Sequence, residues 1–172
     1  MSPYFRAKNQ FLTTCFAAID RPEDRPFTLL WLFTSILATW AIMLIWLLLT
    51  PENAAPFIFI ALFIAGVGDA LAEPVGITFG RNSYKTRAMW TDKTYIRTLE
   101  GSAVVFLSGV VATGFAAKLH PDFAAYGMVW WALAFLPAAT TIAEAKSPHT
   151  WDQPFIIGIC AAISTAMVWF VG

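Results

Sequence analysis

Charge is scarce in this 172-residue chain: Asp, Glu, Lys and Arg make up 13% of it, and 11 cations balance 11 anions. With 58% hydrophobic residues, too little polar surface remains for a soluble domain, and the composition is that of a polytopic membrane protein. Zero net charge, with no basic helix and no basic strip interleaved with aromatics, argues against a nucleic-acid partner. Cysteine is scarcer still. Cys15 and Cys160 stand in apolar contexts without C-x-x-C spacing, so they read as packed thiols rather than redox or metal groups. His120 and His149 show no ligand spacing and read as surface residues. The start of the chain has no long apolar run or small-residue cleavage site, so a removed signal peptide is not expected. No internal repeat stands out.

Long apolar runs are what the chain has instead. Residues 3–20 place Phe5, Phe11, Leu12, Cys15, Phe16 and Ile19 largely at helical spacing opposite Arg6, Lys8, Asn9 and Gln10, as in an interfacial amphipathic helix. A charged turn with two prolines, 20–26, closes this segment (1–26) before the transmembrane bundle of 27–172. Residues 27–49 are apolar or small hydroxyls, about 34 Å of helix and enough for a tilted span. Further spans are predicted over 54–80, 101–119, 123–145 and 154–171, with a polar loop over 81–99. The expected fold is an all-α bundle of about five transmembrane helices. With a cytoplasmic N-terminus, ten of the 11 Lys and Arg fall inside and only Lys118 outside. The basic loop and the turn from Glu144 to Asp152 then share the cytosolic face.

Ionisable groups inside a span cost about 2.5–3.5 kcal/mol each on insertion scales, so two within one turn call for a partner or a task. Asp69 and Glu73 are such a pair. Gly66, Asp69, Glu73, Gly76 and Gly80 recur every three or four residues and form one stripe of the second helix. Small residues there also let helices approach closely, a role that suits Gly66 best. Pro74 cannot donate a backbone hydrogen bond, which leaves carbonyls near Ala70 able to face a cavity. Two hard carboxylates suit Mg²⁺, which is usually held by one or two carboxylates together with phosphate oxygens. At the other end of the loop, Thr98 is a plausible N-cap for a helix beginning Leu99-Glu100-Gly101-Ser102, and a helix start offers N–H groups to phosphate. Arg81, Lys85 and Arg97 stand near it in sequence and could neutralise a polyphosphate. Glu144 and Asp152 bring two more carboxylates to the same face.

Gly68-Asp69-x-x-Ala72-x-x-x-Gly76-x-x-Phe79-Gly80-Arg81, followed about 16 residues later by Arg97-Thr98-x-Glu100-Gly101-Ser102, resembles the signature of the CTP-dependent lipid kinases. These are the dolichol kinases, phytol kinases and yeast-type diacylglycerol kinases, relatives of phosphatidate cytidylyltransferase. Thr140-Thr141-Ile142-Ala143-Glu144 with Trp151-Asp152-Gln153-Pro154 resembles the family's second motif. Arg97 replaces the usual Lys, Gln153 stands where Asn is common, and the chain is shorter than many members. The long C-terminal signature of the cytidylyltransferases has no counterpart after Glu144, which favours the kinase branch.

The resemblance implies transfer of the γ-phosphoryl group of CTP to an isoprenoid alcohol or diacylglycerol, with Mg²⁺ as cofactor. Asp69 and Glu100 would be catalytic, and Asp69, Glu100 and Asp152 would hold the metal. Gly76, Gly80, Arg81, Lys85, Arg97, Thr98, Gly101, Ser102 and Asp152 would bind the nucleotide. Glu73 and Glu144 would line the site or the lipid path. A second subunit could supply part of the lipid groove, giving a homodimer. A cytidylyltransferase-like enzyme that releases pyrophosphate is one alternative, and a non-enzymatic ion-translocating protein using Asp69 and Glu73 is another.

Overall fold

A computed structural model describes residues 26–50, 54–90, 92, 94–125, 127–148 and 151–171. Five of its helices are long and apolar enough to cross a membrane, so the chain is an all-α polytopic membrane protein. Helix α1 is Thr28–Leu49. The second span is built of three pieces, α2 (Ala54–Phe63), a π-helical turn (Ile64–Gly68) and α3 (Asp69–Phe79). Helix α4 is Leu99–Leu119, the short α5 is Pro121–Ala125, α6 is Met128–Lys146 and α7 is Asp152–Val171. The expected interfacial helix over 3–20 and most of the 20–26 turn lie outside the described residues, as do Cys15 and His149.

In hydrocarbon there is no hydrophobic force to sort side chains, so small and hydroxyl residues turn inward and large apolar ones face lipid. Helix α1 follows this logic, burying Thr28, Ser35, Thr39 and Trp46 while Trp40, Leu44 and Leu48 lie exposed. Helix α4 sits at the centre, packed against the second span on one side and α6 on the other. Its buried stripe of Gly101, Val105, Ser108, Gly109, Ala112, Thr113 and Ala116 keeps helical spacing. Its hydroxyls bond back to the helix, Ser108 Oγ donating to Val105 O at 2.7 Å and Thr113 Oγ1 to Gly109 O at 2.8 Å. Each of these two hydroxyls thereby satisfies its donor within the helix. Cys160 is a free, fully buried thiol, in keeping with a packing role.

Two sequence expectations need correction. The 81–99 segment is not a loop. It folds into an antiparallel hairpin, β1 (Ser83–Arg87) and β2 (Thr94–Thr98), with Ser83 opposite Thr98 and Arg87 opposite Thr94. Tyr84, Thr86 and Tyr95 take half-buried positions that alternate with exposed ones, as suits β-branched and aromatic residues on a pleat. The hairpin is tied to the bundle at both ends: Leu99 N–H donates to Asn82 O and Met89 N–H to Lys146 O, each at 2.9 Å. The fourth span starts at Met128 rather than Phe123, because Gly127 takes φ +71° and ends the turn of α5. Glycine reaches that left-handed conformation without a Cβ clash.

Candidate functional site

One cavity of about 920 Å³ opens where the hairpin meets the bundle. The end of the second span, β2, the start of α4, the end of α6 and the start of α7 all contribute to its wall. Asp69, Glu73, Gly76, Arg97, Thr98, Gly101, Ser102, Glu144 and Asp152 line it together, although they are spread over 84 positions of sequence.

Arg97 is the organising side chain. Strand alternation turns Tyr95 and Arg97 inward on β2, with Tyr84 opposite Arg97 and Thr86 opposite Tyr95. The guanidinium then reaches two helix ends. Arg97 Nη1 donates to Glu144 Oε1 at 2.8 Å, and Nη2 approaches Asp152 Oδ1 and the Glu144 carbonyl, each at 3.4 Å. Glu144 is only 2% exposed, so this is a buried ion pair. Ser147 in the α6–α7 turn donates to the Glu144 carbonyl at 2.7 Å and also bonds the Asp152 carboxylate. Arg97 Nε is buried and has no hydrogen-bond partner among the described residues.

The start of α4 is built as its sequence implies. Thr98 is extended, with φ −118° and ψ 146°, and its hydroxyl accepts from Gly101 N at 3.1 Å. Gly101 packs so tightly that a Cβ would lie 2.8 Å from Ala72 O, and a Cβ at Gly76 would lie 2.7 Å from Thr98 Oγ1. A Cβ at Gly80 would lie 2.7 Å from Thr98 Cγ2. The close approach expected foremost of Gly66 therefore belongs to Gly76, Gly80 and Gly101. Gly66 has open space around its missing Cβ and does not line the cavity, because it lies within the π turn of Ile64–Gly68, which breaks the regular helical stripe ahead of Asp69. Such turns concentrate at functional sites. Two residues later Ala70 lines the cavity, four positions before Pro74, where a carbonyl loses its usual amide partner.

Several expected site residues lie elsewhere. Glu100, assigned to catalysis and metal binding, does not line the cavity; it accepts from Asn82 N at 3.3 Å and from Asn82 Nδ2 at 3.2 Å, fastening the foot of the hairpin to α4. Arg81 and Lys85 are exposed and Gly80 is a packing contact, all outside the cavity wall. Ser102 lines the wall, with its hydroxyl 2.7 Å from that of Tyr84. Sequence reasoning missed Thr94, Tyr95 and Ile96, which line the cavity from β2. The alternation of β-branched and aromatic residues in 94–98 was the signal that could have found them.

No protein-family model, curated protein or solved structure matches the chain. The chemistry of the cavity must speak for itself. Its wall carries four carboxylates, Asp69, Glu73, Glu144 and Asp152, and one guanidinium. Among the described residues no three Asp, Glu, His or Cys side chains form a group able to hold a metal ion alone.

Proposed function

We propose that this protein is a membrane lipid kinase that transfers the γ-phosphoryl group of a nucleotide, CTP foremost, to the hydroxyl of an isoprenoid alcohol of the phytol, polyprenol or dolichol type, or of diacylglycerol. Arg97 carries this reading. Its Nη groups are held by Glu144 and Asp152, while its buried Nε lacks an acceptor at the edge of a cavity that also meets a helix start. An unsatisfied buried donor costs about 1–3 kcal/mol, and an anionic ligand oxygen would remove that cost. The amides at the start of α4 favour the same kind of ligand.

The excess of carboxylates over cations would repel a bare polyphosphate. Mg²⁺, when bound, supplies the charge neutralisation that phosphoryl transfer depends on. Asp69, with Glu73 one helical turn away, offers the hard oxygens to hold it. The lipid oxygen forms a bond to the γ-phosphorus as the bond to the nucleotide's bridging oxygen breaks, and the hydroxyl proton passes to Asp69 if that carboxylate is not engaged by the metal. Arg97 and the Thr98–Ser102 backbone hold the phosphates. Glu100 acts by positioning the hairpin. The reading places the cavity on the cytosolic face, with the lipid tail remaining in hydrocarbon.

Labelled CTP tests the proposal with purified protein, Mg²⁺ and a panel of lipid alcohols. Label from the γ position should enter lipid and be lost in Asp69→Asn. Cytidine label in lipid would establish a nucleotidyltransferase instead, and ion flux abolished by Asp69→Asn without any nucleotide consumption would establish an ion pathway.

A further inference from the structure

A second concavity, about 420 Å³, lies beside the turn between α6 and α7 and is walled by α1, α6 and α7. Its depth is apolar, with Ile42, Ala139, Ile142, Phe155 and Gly158 on the wall. Lys146, Trp90 and Trp151 stand at one end, and among the described residues Lys146 is the single charged side chain on the lining. From Lys146 back to Ala139 the groove follows α6 for about 10 Å at 1.5 Å per residue, starting at a helix end and running into the span.

The mouth is built with some strain. Trp90, in the hairpin connection, has φ +65°, a conformation that a bulky residue rarely adopts. It is held there by an edge-on contact with Trp151 at 6.4 Å and a tilted contact with Phe155 at 5.0 Å. Trp151 Nε1 is buried and has no hydrogen-bond partner among the described residues. Tryptophan at the ends of spans marks the level of lipid headgroups.

We propose that this groove is a binding site for an anionic glycerophospholipid, one acyl chain lying along α6 and α7 and the phosphate at Lys146. The walls belong to spans, so the surrounding solvent is lipid and a chain is the matching occupant. Among the described residues no carboxylate lines the groove to oppose an anionic headgroup. Trp90 and Trp151 line the groove beside Lys146, which sets the headgroup end. Nucleotide chemistry is not needed for this site, and it stands or falls apart from the kinase reading. Glu144 and Asp152 line the first cavity, while Ala143, Lys146 and Trp151 line the second, so the two sites share the α6–α7 turn as a wall.

The test uses the full chain in phosphatidylcholine vesicles doped with phosphatidylglycerol, either lipid being brominated on its acyl chain, with tryptophan quenching as the readout. Brominated phosphatidylglycerol should associate about fivefold more tightly than brominated phosphatidylcholine, as one basic side chain at an anionic membrane surface contributes. Lys146→Gln, at an exposed position, should remove that preference. Gly158→Leu should remove the site-specific quenching by both lipids: a Cβ there meets Ile42 at an ordinary 3.7 Å, so the backbone accepts the side chain while its length fills the groove. A double Trp90→Phe and Trp151→Phe variant should lose the same signal. Equal quenching by the two headgroups, a preference that survives Lys146→Gln in a protein of unchanged helicity, or displacement of the phospholipid by an uncharged isoprenoid alcohol would each overturn the proposal.

Discussion

Arg97 and Glu144 are 47 positions apart in sequence, and each depends on the other for its place inside an apolar bundle. Removing one member of a buried pair leaves the other charge uncompensated, at a cost of about 3–5 kcal/mol. Arg97→Met should therefore lower stability by roughly that amount, measured by chemical unfolding in detergent. Glu144→Gln, which keeps shape and an acceptor oxygen, should cost less. Arg97→Lys should retain most of the stability but lose the fork that spans two helix ends. Asp69 and Glu73 could be picked out from sequence because carboxylates in a span are conspicuous. The pairing of Arg97 with Glu144 could not, since nothing local records which helix end a strand residue will meet. Glu100 misled for a related reason: next to Gly101 and Ser102 it looks catalytic, yet its neighbour across the hairpin foot is Asn82.

At Gly101 helix α4 meets the backbone of α3 directly. Gly101→Ala would drive a Cβ to 2.8 Å from the Ala72 carbonyl, and backbone cannot rotate away as a side chain can. Separating the helices should cost about 1–3 kcal/mol and widen the cavity they share. Gly114→Ala on the same helix meets nothing within 4 Å and should leave the unfolding midpoint nearly unchanged, which makes the pair an internal control in one unfolding series. Spans were legible because length and hydropathy alone define them. The hairpin was not, because a stretch rich in Lys, Arg and Thr looks like a solvated loop until its period of two is read. The break at Gly127 was missed because the surrounding residues stay apolar on both sides and only the backbone conformation changes.

At the scale of the whole molecule, the cavity that holds Asp69, Glu73, Arg97, Glu144 and Asp152 opens at one end of five apolar helices. The charge bias predicts which end that is. A single cysteine placed at Lys85 should react with a membrane-impermeant thiol reagent only when the cytosolic side is exposed, and one placed at Lys118 only from the opposite side, each in a background lacking Cys15 and Cys160. The reverse pattern would invert the topology and move the proposed site away from the cytosolic nucleotide pool.

The guanidinium of Arg97 is closed from both sides by the end of α6 and the start of α7, and α7 leaves the ribosome after α6. Until Asp152 arrives, the cation lacks one of the two carboxylates that hold its Nη groups. The three elements thus form an electrostatic latch between strand and helix ends, closed only once α7 has packed beside α6.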